Sequence, residues 1–319
     1  MKSAAILLAG LLLAAPTQAL AQTVTVGTAT PGSLFHSAGT AVASVINEKA
    51  GMRAVLQPFA SANVYIPAVN EGDIDLGVGT AHEVGAALVG LEHFDGRPQE
   101  GLRAVGTMFP LRFGIFVRAD SDIETLADLR GRTLPGGYSS QQIAATMMDA
   151  IYASADMTVD DVETVTVANT VAGADDFATG RVDAFFFALG AAKVSEVDAA
   201  VGGLRVLPFQ NTEEELEAVR QFLPQAYFRE EQPGPANPGI DEPMMALAID
   251  AVAFASASTS DDTIYVVTKA LHENKDALVA SFPAFRGFEP DSMARPLDPI
   301  EYHPGAVRYF EEIGIADGE

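Results

Sequence analysis

Hydrophobic and polar positions along the chain predict a repeated alternation of strands and helices. The first part of the chain shows an alternating strand, a turn of glycine and hydroxyl residues, and a helix of small and apolar residues. The predicted elements are a strand at 24–26, a helix that ends near 46, a strand at 54–57, a helix entered at 61–68, a strand at 74–79 and a helix at 82–89. Helices that separate strands at this spacing are typical of parallel βαβ units.

A second series of the same kind follows a crossing predicted at 109–113, between strands at 102–108 and 114–117. Its elements are a short helix at 123–129, a strand at 132–134, a helix through about 154, a strand at 162–167, a helix at 171–179 and a strand at 184–187. The remaining predictions are a strand at 204–208, an acidic helix at 213–222, an irregular Pro- and Gly-rich segment at 230–243, an apolar strand at 244–254 and helices at 261–275 and 304–313.

Two stretches of the second series repeat stretches of the first. EGDIDLG at 71–77 matches TGRVDAF at 179–185, and a glycine and hydroxyl turn at 27–35 matches one at 136–142. Two similar α/β lobes are therefore predicted. The second crossing falls at 203–239, so we expect residues 22–108 and 240–319 to form lobe 1 and residues 109–239 to form lobe 2, joined by a two-segment hinge.

The two glycine and hydroxyl turns each begin a helix, where backbone N–H groups have no partner within the helix. These N–H groups carry partial positive charge, so a helix start that faces a cleft favours an anion. Ser33 is placed to cap the first of these helices. We expect the two helix starts to face each other across a cleft between the lobes.

The beginning of the chain has the pattern of an export signal. Lys2 precedes an apolar run at 6–15, and small residues stand at Ala19 and Ala21, so cleavage is expected after Ala21. The run is too short for a stable membrane anchor, and no later segment reaches the roughly 18 apolar residues of a span. We therefore expect a soluble, periplasmic mature chain that does not insert into the membrane.

The composition bounds the number of domains and excludes some classes of chemistry and of partner. The 319 residues, of which 48% are hydrophobic, suffice for two domains with a sizeable core. There is no cysteine, so disulfides and thiolate chemistry are excluded. The chain carries 19 basic and 43 acidic residues, a net charge of −24, which argues against nucleic acid or an anionic membrane surface as a partner.

Several segments resemble the TAXI-type substrate-binding subunits of tripartite TRAP transporters, which have the type II periplasmic binding protein fold. The matching segments, which span nearly the whole mature chain, are VTVGTATPGSLFHSAGTAVASVINEKAG, NEGDIDLGVGTAHEV, IETLADLRGRTLPGGYSSQ, ATGRVDAFFFALG, DDTIYVVTKALHENKDAL and HPGAVRYFEEIGI. The last two are the most specific. The resemblance implies a receptor that closes around a small carboxylate, such as glutamate or 2-oxoglutarate, and delivers it to a TRAP-type membrane permease.

The chain departs from that family at two places in the expected cleft. Phe35-His36 stands where the family often has an aromatic pair, and residues 136–141 read GGYSSQ where the family often has a GxxGSGT-like turn. Both departures concern the identity of the ligand rather than the fold.

Candidate ligand-binding residues are those that follow the predicted strands, because ligands bind at the carboxyl ends of strands in open α/β sheets. In the first lobe they are Ser33, Leu34, Phe35, His36, Ser61, Asn63, Thr80 and His82. At the first crossing and in the second lobe they are Arg112, Tyr138, Ser139, Ser140, Gln141 and Phe187.

Each candidate also has an ordinary structural interpretation. The serines, Asn63 and His82 are residue types that cap helices, Phe35 and Phe187 are types that pack in a core, and Arg112 fits a surface charge as well as a bidentate partner of a carboxylate. Both interpretations remain open from the sequence.

Neither metal nor cofactor chemistry is indicated. The histidines lack metal-ligand spacing, no nucleophile elbow or dinucleotide fingerprint is present, and no calcium loop is visible. We expect a binding protein rather than an enzyme. Two alternatives remain: a receptor of the same fold for an ATP-driven importer or a sensor kinase, and a periplasmic enzyme of that fold.

Overall fold

The computed structural model describes residues 23–316, apart from residues 30, 32, 33, 60, 61, 95, 140 and 236. The expected export signal at 1–21 therefore lies outside the described residues. The strands are β1 Thr23–Thr28, β2 Arg53–Pro58, β3 Leu76–Thr80, β4 Leu102–Arg118, β5 Thr133–Gly136, β6 Glu163–Thr166, β7 Ala184–Ala188, β8 Leu204–Val206, β9 Tyr227–Glu231 and β10 Met244–Ser256.

The α-helices alternate with the strands through most of the chain and gather after β10. They are α1 Leu34–Lys49, α2 Ala62–Asn70, α3 Ala81–Val89, α4 Ile143–Ser154, α5 Thr170–Ala178, α6 Ala192–Val201, α7 Glu213–Arg220, α8 Asp261–Glu273, α9 Lys275–Ser281 and α10 Pro304–Ile313. Short 3₁₀ helices lie at Glu92–Phe94, Leu126–Leu129, Val159–Asp161, Pro283–Gly287 and Pro290–Ser292.

Eight of these strands form one mixed sheet, and β5 and β6 pair separately. The strand order is β2-β1-β3-β10-β4-β7, with β8 also paired to β4 and β9 also paired to β10. Strands β1, β2 and β3 are parallel, as the βαβ pattern predicts, whereas β10 is antiparallel to β3 and β4. We call β1–β3 the first strand series and β5–β7 the second strand series.

The interruption predicted between strands at 102–108 and 114–117 is wrong, because the single strand β4 runs through all 17 residues from Leu102 to Arg118. Its first part pairs with β10 as far as Leu111, and its last part pairs with β7 from Phe113 onward. Backbone pairing therefore passes from one neighbour to the next with no loop between them. Phe109 and Phe113 are buried, which favours an extended chain here over a turn exposed to water.

Three smaller predictions need correction. The helix predicted at 123–129 is only the 3₁₀ turn Leu126–Leu129, and the helix predicted at 261–275 ends at Glu273, before a separate α9. The irregular segment predicted from 230 begins after Glu231, because the polar stretch YFREE forms β9 by pairing with the first residues of β10. The charged residues of YFREE interrupt the alternation of apolar and polar positions from which a strand is predicted.

The last helix is as predicted, both in its bounds and in its cap. α10 begins after His303, whose Nδ1 accepts a hydrogen bond from the Gly305 N–H at 3.1 Å. Pro304 occupies the first helical position, where its missing N–H costs nothing. The side chain of His303 is fully buried, and its Nε2 lies 3.0 Å from the carbonyl oxygen of Thr259.

The sequence repeat corresponds to one contact made twice. Asp75, just before β3, accepts hydrogen bonds from the N–H and the hydroxyl of Thr25 in β1, both at 2.7 Å. Asp183, just before β7, accepts one from the N–H of Thr133 in β5 at 2.8 Å. In each pair the aspartate follows the threonine by 50 residues. The aspartate thus fixes the start of one strand beside the start of another in both series.

Candidate functional site

The register of the sheet places the carboxyl ends of β3 and β7 opposite each other. Thr80, the last residue of β3, pairs with Ala251 of β10. Ile249, which precedes Ala251 by two residues in β10, pairs with Leu111 of β4. Two residues farther along β4, Phe113 pairs with Ala188, the last residue of β7. The two ends are thus four residues apart along the strands, about 13 Å at roughly 3.3 Å per residue. β10 and β4 lie side by side between these two ends, so the ends are also separated across the sheet.

Three of the predicted residues lie outside the described part of the chain: Ser33, Ser61 and Ser140. Nothing is described of the side chain of Asn63 either, although its backbone belongs to the first turn of α2. The order of the elements around these positions is nevertheless clear. The chain enters α1 directly after β1 and enters α2 directly after β2.

On the side of the first strand series, the start of α1 is joined to the end of β1. The Nδ1 of His36 lies 3.1 Å from the hydroxyl of Thr28, which is fully buried at the end of β1. A Cβ on Gly39, one turn into α1, would stand 2.3 Å from the Thr28 methyl group, so glycine allows this close packing. Leu34 and Phe35 are half-buried and pack against the largest cluster of buried apolar residues, which we call the main core.

The end of β3 begins α3 through an N-cap. The hydroxyl of Thr80 accepts a hydrogen bond from the N–H of Glu83 at 3.0 Å and donates one to its carboxylate at 2.9 Å. Burial is the largest influence on Glu83 and raises the pKa of its carboxyl, against the lowering effect of the Thr80 hydrogen bond. His82 is buried, and its Nε2 lies 2.7 Å from Glu92.

On the side of the second strand series, the turn after β5 is strained at Tyr138, which has a φ of 36°. The Tyr138 ring points into the main core and is 1% exposed, and burial raises the pKa of its hydroxyl well above the usual range. Ser139 is exposed beside it, and its N–H donates to the carbonyl of Val167 at 3.3 Å. The turn thus presents Ser139, and not the Tyr138 ring, to solvent.

Gln141 connects this turn with the start of α5. Its side-chain oxygen accepts hydrogen bonds from the N–H and the hydroxyl of Thr170, both at 3.1 Å. The N-cap of α5 is Asn169, which the sequence interpretation did not single out and which follows β6 just as Gln141 follows β5. The sequence feature that could have identified Asn169 is its place between the predicted strand at 162–167 and the predicted helix at 171–179, where an Asn is a typical N-cap.

Arg112 and Phe187 are both engaged within the protein. The Arg112 guanidinium donates to Glu231 in β9 at 2.5 Å, and the Glu231 side chain is only 5% exposed. Phe187 is buried in an apolar cluster under α5 and α6. Arg229, also in β9, makes only looser ion pairs, at 3.6 Å to Glu231 and 3.9 Å to Glu289.

A separate cavity of about 420 Å³ lies away from the strand ends, between the end of α4 and the start of α7. None of the predicted site residues lines it. Among the described residues there is also no group of three or more His, Asp or Glu side chains placed to hold a metal ion. No helix in the described ranges is long and apolar enough to cross a membrane.

Comparison with known proteins agrees with this architecture. The model of the NMT1-like family matches residues 26–314. A TctC solute binding protein from Polaromonas is 15% identical, with a TM-score of 0.58 over 84% of this chain and 90% of its own. MatC from Rhodopseudomonas palustris, solved with bound malate, is 13% identical, with a TM-score of 0.55 over 93% of this chain and 98% of its own.

The periplasmic binding protein BugD gives a TM-score of 0.53 at 11% identity, over 93% of this chain and 94% of its own. These similarities confirm the predicted fold, which is the two-lobe α/β fold of periplasmic binding proteins. Sequence identities this low support a similarity of fold and no conclusion about the ligand.

Proposed function

We propose that this chain, which belongs to the NMT1-like family, is a periplasmic receptor that binds a small organic anion between its two lobes. The observation that supports this proposal is the register of β3, β10, β4 and β7. It makes the carboxyl ends of the two strand series face each other with an offset of about 13 Å along the strand direction, and carboxyl ends are where ligands bind in such sheets.

The proposed ligand is a carboxylate or an amino acid, such as 2-oxoglutarate or glutamate. The helix starts after β1 and β5 supply backbone N–H groups that favour negative charge. Exposed Ser139 and half-buried His36 are side chains near those starts that can add hydrogen bonds. Arg112 is already paired with Glu231, so we assign it to holding β9 rather than to the ligand.

Closure of the lobes follows from contacts that the ligand makes with both of them. A ligand that touches only one lobe has equal affinity for the open and closed states and shifts nothing. We propose that β4 and β10, which pair with strands on both sides of the crossing, act as the two hinge segments.

The proposed partner is a TRAP-type permease, on the strength of the TAXI-like segments in the sequence. The alternative within the same fold is a receptor for an ATP-driven importer or a sensor kinase. An enzyme is the third candidate, and the solved proteins of this fold named above are binding proteins. We propose that the mature chain reaches the periplasm in each case through the export signal predicted at 1–21.

A thermal-shift screen of the mature chain, from Gln22 onward, against small organic anions and amino acids tests this proposal. A ligand at a hundred times its dissociation constant stabilises the protein by about 2.7 kcal/mol. The double substitution of Ser139→Ala and Ser140→Ala should reduce that shift and leave the melting temperature without ligand almost unchanged.

Ser195→Ala is the matched control, because Ser195 is also exposed but lies in α6. It should keep the full ligand shift. An unchanged shift in the double variant would remove the second lobe from the binding model. Turnover of a stabilising compound would favour the enzyme alternative.

A further inference from the structure

A buried aspartate lies at the point where β4 changes its pairing partner. Asp250 of β10 pairs with Pro110 of β4 and is 5% exposed. Its carboxylate accepts a hydrogen bond from the hydroxyl of Tyr227 at 2.8 Å and forms an ion pair with the Arg295 guanidinium. The Arg295 guanidinium also lies over the Tyr227 ring, 5.2 Å from its centre.

These three residues come from different parts of the chain. Tyr227 belongs to β9, in the stretch predicted as lobe 2, whereas Arg295 follows the 3₁₀ turn Pro290–Ser292 in the stretch predicted as lobe 1. Asp250 stands between them on β10, one of the two strands proposed as hinge segments. Tyr227 pairs with Ala248 of β10, two residues from Asp250, so a change in the angle between the lobes would alter the contacts of Arg295 with the other two residues.

We propose that Tyr227, Asp250 and Arg295 form a clasp between the lobes that holds while Asp250 is ionised and loosens when Asp250 takes up a proton. This proposal rests on the proposed function, because it assumes that the two lobes move against each other. The clasp would make the balance of open and closed receptor depend on pH.

The surroundings of Asp250 support such a change near neutral pH. Burial is the largest influence and raises the pKa of Asp250 to about 6, although the charge of Arg295 acts in the opposite direction. The other titratable groups that face it are Tyr227 and Arg229 from β9 and Tyr302 from the segment before α10. No histidine is among these groups, so the carboxyl of Asp250 is the group that titrates in this range.

Protonation removes the charge that attracts the guanidinium and leaves its contact with the Tyr227 ring and a long hydrogen bond of 3.3 Å to the Tyr227 hydroxyl. A cavity of about 20 Å³ lies beside Arg295 and is lined also by Arg229, Glu289 and Ser292. This is enough for about one water molecule, since a water needs roughly 10–15 Å³. The buried Nε of Arg295 has no partner among the described residues, so a water there would also satisfy it.

The distance between the lobes can be measured directly with spin labels, because the chain has no cysteine of its own. Glu217→Cys in α7 and Glu311→Cys in α10 introduce two labels at exposed positions on the two sides of the crossing. Pulsed electron spin resonance on the full mature chain without added ligand then gives the distance distribution from pH 5 to pH 8.

In the otherwise unchanged chain the distribution should shift with pH, with a midpoint near pH 6. Asp250→Asn should give the low-pH distribution throughout. Tyr227→Phe should move the midpoint upward, because the lost hydroxyl favours the ionised carboxylate. Asp262→Asn is the matched control, since it removes an exposed aspartate that pairs with Arg308 away from the crossing, and it should change nothing.

A distribution that does not change between pH 5 and pH 8 would overturn the proposal, as would an unchanged pH response in Asp250→Asn. Should Asp250→Asn fail to fold, an unmoved midpoint in Tyr227→Phe contradicts the clasp equally well. The measurement uses no ligand, so failure of the clasp is distinct from failure of the solute screen, which tests the receptor function itself.

Discussion

The two equivalent aspartates give a quantitative prediction, because they make different numbers of contacts. Asp75→Ala removes the acceptor of two hydrogen bonds from Thr25 at a half-buried position. Hydrogen bonds to charged groups contribute about 1.5–3 kcal/mol each, and partial exposure favours the lower value, so the expected loss is about 3 kcal/mol. Asp183→Ala removes one hydrogen bond from Thr133 at an exposed position, for an expected loss of about 1 kcal/mol.

Thermal unfolding monitored by circular dichroism measures both losses. For a chain of this size a loss of 1 kcal/mol lowers the melting temperature by roughly 2 °C, so we expect decreases of about 6 °C and about 2 °C. The pairs share no partner, so the double variant should show the sum of the two losses within about 0.5 kcal/mol.

Asp73→Ala is the matched control, because Asp73 is exposed and belongs to the same EGDIDLG segment. Its side chain makes no hydrogen bond or ion pair with the described residues, so the change should stay within about 0.5 kcal/mol. Equal losses for Asp73→Ala and Asp75→Ala would refute the assignment of stability to the Thr25 contact. A larger loss for Asp183→Ala than for Asp75→Ala would refute the argument from contact number and exposure.

Two further substitutions test the packing of the sheet and the last helix. Gly77→Ala would place a Cβ 2.3 Å from the Phe254 ring and should cost about 1–3 kcal/mol in a urea titration, whereas Gly234→Ala, with open space around it, should be neutral. Burial lowers the pKa of His303, so below about pH 6.5 the unfolded chain binds a proton that the native chain resists and stability falls as the pH falls. His303→Asn keeps a capping residue and should flatten that part of the stability curve; an unchanged slope would contradict this assignment.

Local patterns in the sequence were sufficient to predict most of the elements. The alternation of strands and helices, the parallel first series and the start of α10 at Pro304 follow from periodicity and capping, which depend on near neighbours. The EGDIDLG and TGRVDAF repeat predicted two similar lobes, and Asp75 and Asp183 make equivalent contacts within the two copies of the repeat.

Features that depend on distant partners could not be read from the sequence. β4 is continuous because β10 and β7 pair with it in turn, and YFREE is a strand because β10 lies beside it. The engagement of Arg112 by Glu231 and the burial of the Tyr138 ring depend in the same way on residues far along the chain. Spacing fixes which residues follow a strand, but not the direction of their side chains.

Hydrogen exchange of the mature chain, with and without saturating L-glutamate or 2-oxoglutarate, tests the central proposal most directly. We expect slower exchange at both facing edges, in residues 28–36 after β1 and in residues 137–143 after β5, for whichever compound gives the thermal shift. Protection at one edge alone, or a stabilising compound that protects neither, would contradict binding between the lobes.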